Sequence, residues 1–297
     1  MKHACDSQPV ILDTTVAGVR TPCREHFELT LAAAAFPDAL PGQFVQILCR
    51  DSVQSLADGQ AMLRRPFSVG GLRRGVRSVE IDILGRVVGP GTAWLAGRRR
   101  GDTVNILGPL GRPFSITIND EIPILVAGGV GLPPIRWLAE TLCRAGIEPS
   151  FIYGAQSRDL LAVALCAEPA RDGKMSECIK EFAGLGIRAA ITTDDGSCGL
   201  RGRVTDALGI QLDACAGRAA RVYACGPEPM LRAVAERCAA RGVACEVAME
   251  RVMGCGMATC QSCVVPVRDG ASTDGWRYAL CCREGPVFDA SAVIWSR

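Results

Sequence analysis

The feature that most constrains this chain is a group of cysteines near its end. Residues 255–263 read C-G-M-A-T-C-Q-S-C, and Cys282 follows downstream. A tight loop with the spacing C-x4-C-x2-C can point three thiolates at a small cluster while a fourth arrives from a separate segment, as in plant-type [2Fe–2S] proteins. Structural zinc sites usually take their ligands from two close pairs, and the second C-x2-4-C pair is absent here. The pattern therefore predicts an iron–sulfur cluster and one-electron transfer, with the ligands Cys255, Cys260, Cys263 and Cys282.

The abundance of cysteine leaves an alternative open. The chain holds 16 cysteines, so the spacing could arise by chance, with zinc or unligated thiols at these positions. Most of the others stand singly in apolar stretches and are expected to be small buried hydrophobic residues. The first ten residues lack the apolar core of a secretory signal, so we expect a reduced, cytoplasmic setting and no disulfide framework.

Bulk properties exclude several classes of function. A length of 297 residues predicts two or three domains. The net charge of +2 gives no electrostatic case for a nucleic acid or an acidic membrane partner. No apolar segment reaches the roughly 18 residues of a membrane span. Acid–base catalysis by histidine is not expected, because the chain has only two histidines, His3 and His26, and both lie near the N-terminus.

Residues 1–115 are predicted to form a β domain. Short apolar-alternating or β-branched runs are separated by turn sequences such as Pro41-Gly42. Strands are expected at residues 10–16, 27–31, 43–48, 79–84 and 104–107. Repeated strands at this spacing indicate an antiparallel barrel or sandwich.

Residues 116–244 change to an alternation of strands and helices. Buried-strand runs are expected at 122–127, 150–153, 188–192 and 221–225, and helical stretches at 135–142, 160–165, 204–208 and 228–241. This alternation predicts a doubly wound parallel sheet. Residues 245–297 form a small third segment that a bound cluster would stabilise.

Two loops follow strands of the predicted parallel sheet. The stretch Gly128–Gly131 lies between a strand and a helix, where backbone N–H groups can meet a phosphate. The stretch Cys225–Pro227 has the same position after a later strand. Because ligands gather at the carboxyl ends of such strands, the pair predicts a nucleotide site. Each loop alone could equally be a tight turn without a ligand.

Two stretches of the β domain could bind a diphosphate. Arg65-Pro-Phe-Ser68 places a guanidinium and a hydroxyl at the start of a strand, and Gly89-Pro-Gly91-Thr92 offers unhindered backbone donors. Either by itself could be only a turn.

Together these residues resemble the ferredoxin-reductase superfamily, through the motifs R-P-F-S, L-G-R and G-T and the two later loops. The resemblance implies an FAD site formed by Arg65, Pro66, Phe67, Ser68, Leu84, Gly85, Arg86, Gly91 and Thr92. It implies a nicotinamide-nucleotide site formed by Gly128, Gly129, Gly131, Gly226 and Pro227. Cys225 is expected at the point of hydride transfer, as the catalytic residue.

Two motifs in residues 245–297, the tail of the chain, indicate a narrower family within this superfamily. E-R-V-M-G-C-G at 250–256 and C-R-E-G-P-V-F at 282–288 are similar to the electron-transfer subunits of class 1B dihydroorotate dehydrogenases. This implies a β plus α/β chain with an FAD-binding antiparallel β-barrel (1–115), an NAD-binding α/β domain (116–244) and a [2Fe–2S] segment (245–297). It also implies an FMN-containing catalytic partner in a heterotetramer with two copies of each subunit. NAD is the expected acceptor, in pyrimidine biosynthesis.

Three positions depart from the family pattern. Ala258 and Ser262 replace small residues of the cluster loop, and an alanine that needs a positive φ would be strained. Gly85 stands where an aromatic residue is common. Cys281 beside Cys282 leaves the fourth ligand open, although the following R-E-G-P favours Cys282.

Two rival functions remain. The chain could instead be the small subunit of a ferredoxin:NAD(P) oxidoreductase or a sulfide dehydrogenase, which share the three-part order. It could also be a non-enzymatic, metal-stabilised interaction module with vestigial nucleotide loops.

Overall fold

The computed structural model describes residues 8–50, 62–116 and 121–295. Its first part is a seven-stranded antiparallel sheet in the order β4-β3-β7-β1-β2-β6-β5. The strands are β1 (Val10–Arg20), β2 (His26–Ala33), β3 (Phe44–Ile47), β4 (Arg65–Ser68), β5 (Gly71–Arg74), β6 (Val79–Arg86) and β7 (Thr103–Leu110). All five strands expected in this region are confirmed.

The sheet curls into a barrel because its two edge strands follow one another in the chain. Only Val69 and Gly70 separate β4 from β5. The Val69 N–H donates to the Gln43 carbonyl (3.0 Å) and the Gly70 N–H to the Asp82 carbonyl (2.8 Å). Alternate side chains fill the interior, among them the fully buried Leu29 and Ile81. A short helix, α1 (Pro90–Ala96), leads into β7.

The second sheet has the order β11-β10-β9-β8-β12-β13-β16, in which the edge strand β16 (Val287–Asp289) comes from the last segment of the chain. Its parallel strands are β8 (Ile122–Gly128), β9 (Ser150–Ala155), β10 (Arg188–Thr193), β11 (Leu200–Arg201), β12 (Ala220–Cys225) and β13 (Ala244–Ala248). Its helices are α2 (Leu132–Arg144), α3 (Val204–Ala214) and α4 (Glu228–Ala239).

The helices cover both faces of this sheet, as the doubly wound prediction requires. Leu125 packs in one cluster with α2 residues such as Leu138. Ile124, which points to the opposite face, packs with Leu208 of α3 and Val234 of α4. The predicted fold class is thus confirmed. Within the three described ranges, no helix is long and apolar enough to cross a membrane.

The helix expected at 160–165 is wrong. A single 3-10 turn at Arg158–Leu160 is followed by extended chain. The Ala162 N–H donates to the Tyr153 hydroxyl (3.1 Å), and the Ala164 N–H to the Glu181 carboxylate (3.0 Å). Side chains of other elements therefore take the donors that an α-helix would need.

The last segment is continuous with the parallel sheet. A hairpin of β14 (Val264–Arg268) and β15 (Trp276–Leu280) follows the cysteine loop, and β16 (Val287–Asp289) then pairs antiparallel with β13. β13 itself spans the predicted border at 244/245. The two borders between the three predicted segments stay predictions.

Candidate functional site

β4, an edge strand of the barrel sheet, carries four of the residues predicted to meet a flavin. Arg65 is anchored through Nη1, which donates to the carbonyl oxygens of Leu63 (2.8 Å) and Arg64 (3.3 Å). A guanidinium has five N–H donors, so one held in this way can still face a diphosphate. Pro66 is half-buried, and Ser68 pairs with Phe44 of β3.

The neighbouring Arg64 has a structural role. Its Nη1 donates to the backbone carbonyls of Gln46 (3.2 Å) and Asn105 (3.3 Å), and its Nη2 contacts the Asn105 side chain. Burial lowers the pKa of the Arg64 guanidinium. Arg64 thus ties β3 to β7, which leaves Arg65 as the predicted arginine of the flavin site.

Two aromatic rings leave no room for a side chain at position 85 of β6, so this residue is glycine. A Cβ there would lie 2.5 Å from Phe27 Cζ and 2.8 Å from Phe67 Cε1. The two rings pack with centroids 6.2 Å apart. The space that a side chain at position 85 would need is therefore filled by aromatic rings from β2 and β4. Next to it, Leu84 is buried and Arg86 donates to the Glu25 carboxylate (2.7 Å).

The Thr92 side chain forms hydrogen bonds with the turn that precedes α1. Its Oγ1 accepts from the N–H groups of Val88 (2.8 Å) and Gly89 (3.1 Å) and donates to the Gly89 carbonyl (2.9 Å). The hydroxyl is therefore committed to the turn. Any phosphate contact of Gly91 and Thr92 would come from backbone N–H groups.

The two nucleotide loops touch each other. A Cβ on Gly131 would lie 2.2 Å from the Cys225 carbonyl oxygen, and one on Gly226 would lie 3.3 Å from Gly128 Cα. Both loops thus depend on glycine for close approach. They follow β8 and β12, adjacent strands whose connections run in opposite directions along the sheet. Such a switch point is where open α/β sheets bind ligands.

Gly129 has a φ of 52°, and a Cβ there would meet no atom within 4 Å. No neighbouring atom therefore restricts this position of the first loop, and only the positive φ favours glycine there. Pro227 precedes α4 and its carbonyl accepts from Met230 (2.9 Å).

Cys225 lies at the carboxyl end of β12. Desolvation, with a smaller contribution from the negative charge of Glu250, raises the pKa of its thiol to about 12. The group is therefore a neutral thiol at physiological pH, without the reactivity of a thiolate.

The cysteine loop brings its thiols together in two pairs. The Cys255 N–H donates to Cys260 Sγ, and the Cys260 N–H donates to Cys255 Sγ (both 3.4 Å). The Cys282 N–H donates to Cys263 Sγ (3.4 Å). The Ala258 N–H, which donates to Cys282 Sγ (3.2 Å), joins the two pairs. Among the described residues, no three His, Cys, Asp or Glu side chains form a single-ion metal site.

The thiols of the loop differ in their electrostatics, since burial and the hydrogen bond with Cys263 raise the pKa of Cys282 to about 12. Hydrogen bonds from the Ser262 hydroxyl and the Cys255 N–H lower the pKa of Cys260 to about 6. Four thiols in two pairs, surrounded by N–H donors, provide the four-cysteine donor set of a two-iron cluster. The residues present thus fit the group that the spacing predicts.

The structure separates the adjacent cysteines 281 and 282. Cys281 is fully buried, and its Sγ donates to the Met249 carbonyl (3.4 Å), away from the loop. Cys282 Sγ faces the loop through the Ala258 N–H. The geometry therefore favours Cys282 as the fourth ligand.

Three sites meet at one edge of the parallel sheet. The cysteine loop leaves the carboxyl end of β13, next to the two nucleotide loops at the ends of β8 and β12. It also packs on the barrel, because a Cβ on Gly256 would lie 2.7 Å from Gln46 Cγ of β3. β3 is the pairing partner of β4.

Gln46 and Glu250 were missed by sequence reasoning. Gln46 stands in the apolar run Phe44-Val-Gln-Ile47, and a polar residue in a wholly buried strand was the available signal. Glu250 belongs to the tail motif at 250–256, but its proximity to Cys225 could not be predicted, because that proximity depends on the strand order.

This fold and these sites define a class: a ferredoxin-reductase-like flavin and nicotinamide oxidoreductase with an iron–sulfur segment. Residues 250–294 match the sequence signature of the iron–sulfur cluster binding domain of dihydroorotate dehydrogenase B, and residues 125–236 that of the oxidoreductase NAD-binding domain. Among solved structures, the chain is similar to an NADH-dependent reduced ferredoxin-NADP oxidoreductase (TM-score 0.74, 25% identity, covering 95% of this chain and 90% of that one).

Comparison with relatives of curated function identifies a particular family within this class. The chain is 36% identical over 286 residues to the dihydroorotate dehydrogenase B (NAD(+)) electron transfer subunit of Geobacillus kaustophilus, covering 94% of this chain and 97% of the relative. The same subunit of Desulforamulus reducens is 32% identical and covers 86% of this chain and 87% of the relative. The chain belongs to the family of dihydroorotate dehydrogenase B (NAD(+)) electron transfer subunits.

Family membership confirms the predicted electron-transfer function and the predicted cofactors FAD, [2Fe–2S] and NAD. The assignment of individual residues to these cofactors stays a prediction.

Proposed function

We propose that this chain accepts electrons from an FMN-containing dihydroorotate dehydrogenase catalytic subunit and delivers them to NAD⁺ during pyrimidine biosynthesis. The observation that carries the proposal is the meeting of the cysteine loop, the two nucleotide loops and the β3–β4 region of the barrel at one sheet edge. An electron path between three groups requires this proximity.

The barrel residues hold and orient the flavin. Bound FAD supplies exchange between the two-electron chemistry of nicotinamide and the one-electron chemistry of a cluster. Arg65 would neutralise the diphosphate, and the backbone N–H groups of Gly91 and Thr92 would donate hydrogen bonds to it. Phe67 would fix the position of β4 at the flavin site by packing against Phe27 in the barrel interior.

The nucleotide loops hold NAD at the switch point. Gly128, Gly129 and Gly131 let the backbone approach the diphosphate, and Gly226 and Pro227 shape the opposite wall. Cys225 acts by orienting the nicotinamide, because a thiol that keeps its proton neither accepts a proton nor attacks the ring.

Cys255, Cys260, Cys263 and Cys282 would hold the cluster, and each of their sulfur atoms accepts a hydrogen bond from a backbone N–H group. The catalytic subunit docks on the side of this loop, in a cytoplasmic heterotetramer with two copies of each subunit. Dihydroorotate oxidation therefore occurs only in the complex.

Substitution of the adjacent cysteines tests the ligand set. We expect Cys282→Ser to abolish the electron paramagnetic resonance (EPR) signal of the reduced cluster in the anaerobically purified complex. It should lower dihydroorotate-dependent NAD⁺ reduction by more than about tenfold, since even outer-shell changes have effects of that size. NADH oxidation with an artificial acceptor, which needs only FAD, should persist.

Cys281→Ser is the matched control, because it alters the neighbouring thiol without touching the loop. It should retain the cluster signal. The reverse pattern, with loss of the signal only in Cys281→Ser, would contradict the proposed ligands.

One observation favours a second candidate function. The chain matches a reduced ferredoxin-NADP oxidoreductase structure over 95% of its length. In that case the electron donor would be ferredoxin. Rapid ferredoxin exchange by the purified chain, without dihydroorotate oxidation in any complex, would support this candidate.

A further inference from the structure

The described part of the chain contains a fully buried amide with no partner, located beside the cysteine loop. Gln46 has 0% exposure, and neither its Nε2 nor its Oε1 forms a hydrogen bond with any described residue. An unpaired buried amide is unfavourable, because the loss of its hydrogen bonds to water is not offset. Native proteins seldom retain such a group unless a ligand or water satisfies it.

Gln46 points out of the barrel, toward the cysteine loop. In β3, Val45 and Ile47 belong to the barrel interior, whereas Phe44 packs with the cluster segment. Gln46 shares the face of Phe44 because successive side chains of a strand alternate. A Cβ on Gly256, the residue after Cys255, would lie 2.8 Å from Gln46 Nε2.

The glycine at 256 keeps this contact close. Gly256 has a φ of 74°, which favours glycine, and any larger residue would also displace the Gln46 side chain. The amide is therefore held against the cysteine loop, on the strand that pairs with the predicted flavin strand β4.

We propose that Gln46 is a positioning residue whose Nε2 donates a hydrogen bond to a sulfur of the bound cluster, on the side of Cys255. The inference rests on the proposed cluster ligands. A hydrogen bond to sulfur favours the more negative, reduced state, and such bonds help to set reduction potentials. Gln46 thereby makes the cluster easier to reduce.

The test compares the wild-type complex with Gln46→Met, which keeps a similar unbranched shape but has no donor. A redox titration followed by EPR should show a lower midpoint for the cluster. We expect a tenfold change in the ratio of oxidised to reduced cluster at a fixed potential, equivalent to about 59 mV for one electron. The melting temperature of the cluster-loaded complex should not rise.

Gln43→Met is the matched control. Gln43 is also a buried barrel glutamine, but its Oε1 accepts from the Leu40 N–H and its Nε2 donates to the Gly111 carbonyl (both 2.9 Å). This variant should lower the melting temperature without moving the cluster midpoint. If Gln46→Met does not fold, Gln46→Asn, which withdraws the amide by one methylene, should shift the midpoint in the same direction.

An unchanged cluster midpoint in Gln46→Met would overturn the inference. So would a higher melting temperature, because the amide would then be unpaired in the loaded protein. A shift of the flavin midpoint alone would overturn it too. A wild-type complex without any cluster signal would instead contradict the proposed function.

Discussion

Ala258 illustrates how one methyl group can oppose the geometry of a site. Its φ of 69° lies in the left-handed region, which disfavours any residue with a Cβ by roughly 1–2 kcal/mol. The conformation is retained because the Ala258 N–H then points at Cys282 Sγ. The strain that the sequence predicted for this alanine is therefore present in the structure.

We expect Ala258→Gly to raise the free energy of unfolding of the loaded chain by up to about 1 kcal/mol. The gain is smaller than the strain because glycine loses more backbone entropy on folding. Chemical denaturation under anaerobic conditions measures it. Ala271→Gly, in an exposed turn outside the left-handed region, should give no gain. An equal or larger gain in Ala271→Gly would contradict the explanation.

The cluster cysteines could be predicted from the sequence only in part. The spacing of Cys255, Cys260 and Cys263 is local, so their shared loop could be predicted from the sequence. The choice between Cys281 and Cys282 depends on which way each side chain points. That direction is set by the turn after β15 and by the position of Met249, which lies more than thirty residues earlier in the chain.

At the scale of elements, a buried ion pair joins the barrel to the nucleotide domain. Arg136 of α2 donates to the Glu28 carboxylate of β2 (2.7 Å), and both side chains are nearly inaccessible. The negative charge and hydrogen bond of Glu28 keep the pKa of Arg136 raised despite its burial. This contact fixes how the two nucleotide-binding parts face each other.

We expect Arg136→Met to lower the free energy of unfolding by about 3 kcal/mol, because it removes the close, buried partner of the Glu28 carboxylate. The value is at the lower end for a broken buried pair, since Arg20 still lies 3.5 Å from Glu28. Thermal and urea unfolding measure the loss. The double variant Glu28→Met/Arg136→Met removes both charges and should recover most of it. A double variant as unstable as the single one would contradict the assignment.

Most elements could be predicted because their patterns are local. The alternation in β2 and the amphipathic face of α2 needed no knowledge of the rest of the chain. The stretch at 160–165 resembled a helix in composition, but Tyr153 and Glu181 take its backbone donors. Such tertiary competition is not written in the local sequence.

For the whole molecule, the sequence predicted three sites but not their meeting point. The contact between Gly256 and Gln46 joins residues more than two hundred positions apart. The addition of β16 to the nucleotide sheet likewise depends on long-range pairing. Both follow from strand order, which composition and periodicity do not determine.

The most direct test of the electron path is dihydroorotate-dependent NAD⁺ reduction, measured anaerobically with the purified chain alone and with its co-purified catalytic subunit. We expect activity only in the complex, while the chain alone oxidises NADH with an artificial acceptor. Dihydroorotate oxidation by the chain alone would contradict the account, as would an FAD- and cluster-loaded complex that oxidises dihydroorotate but never reduces NAD⁺.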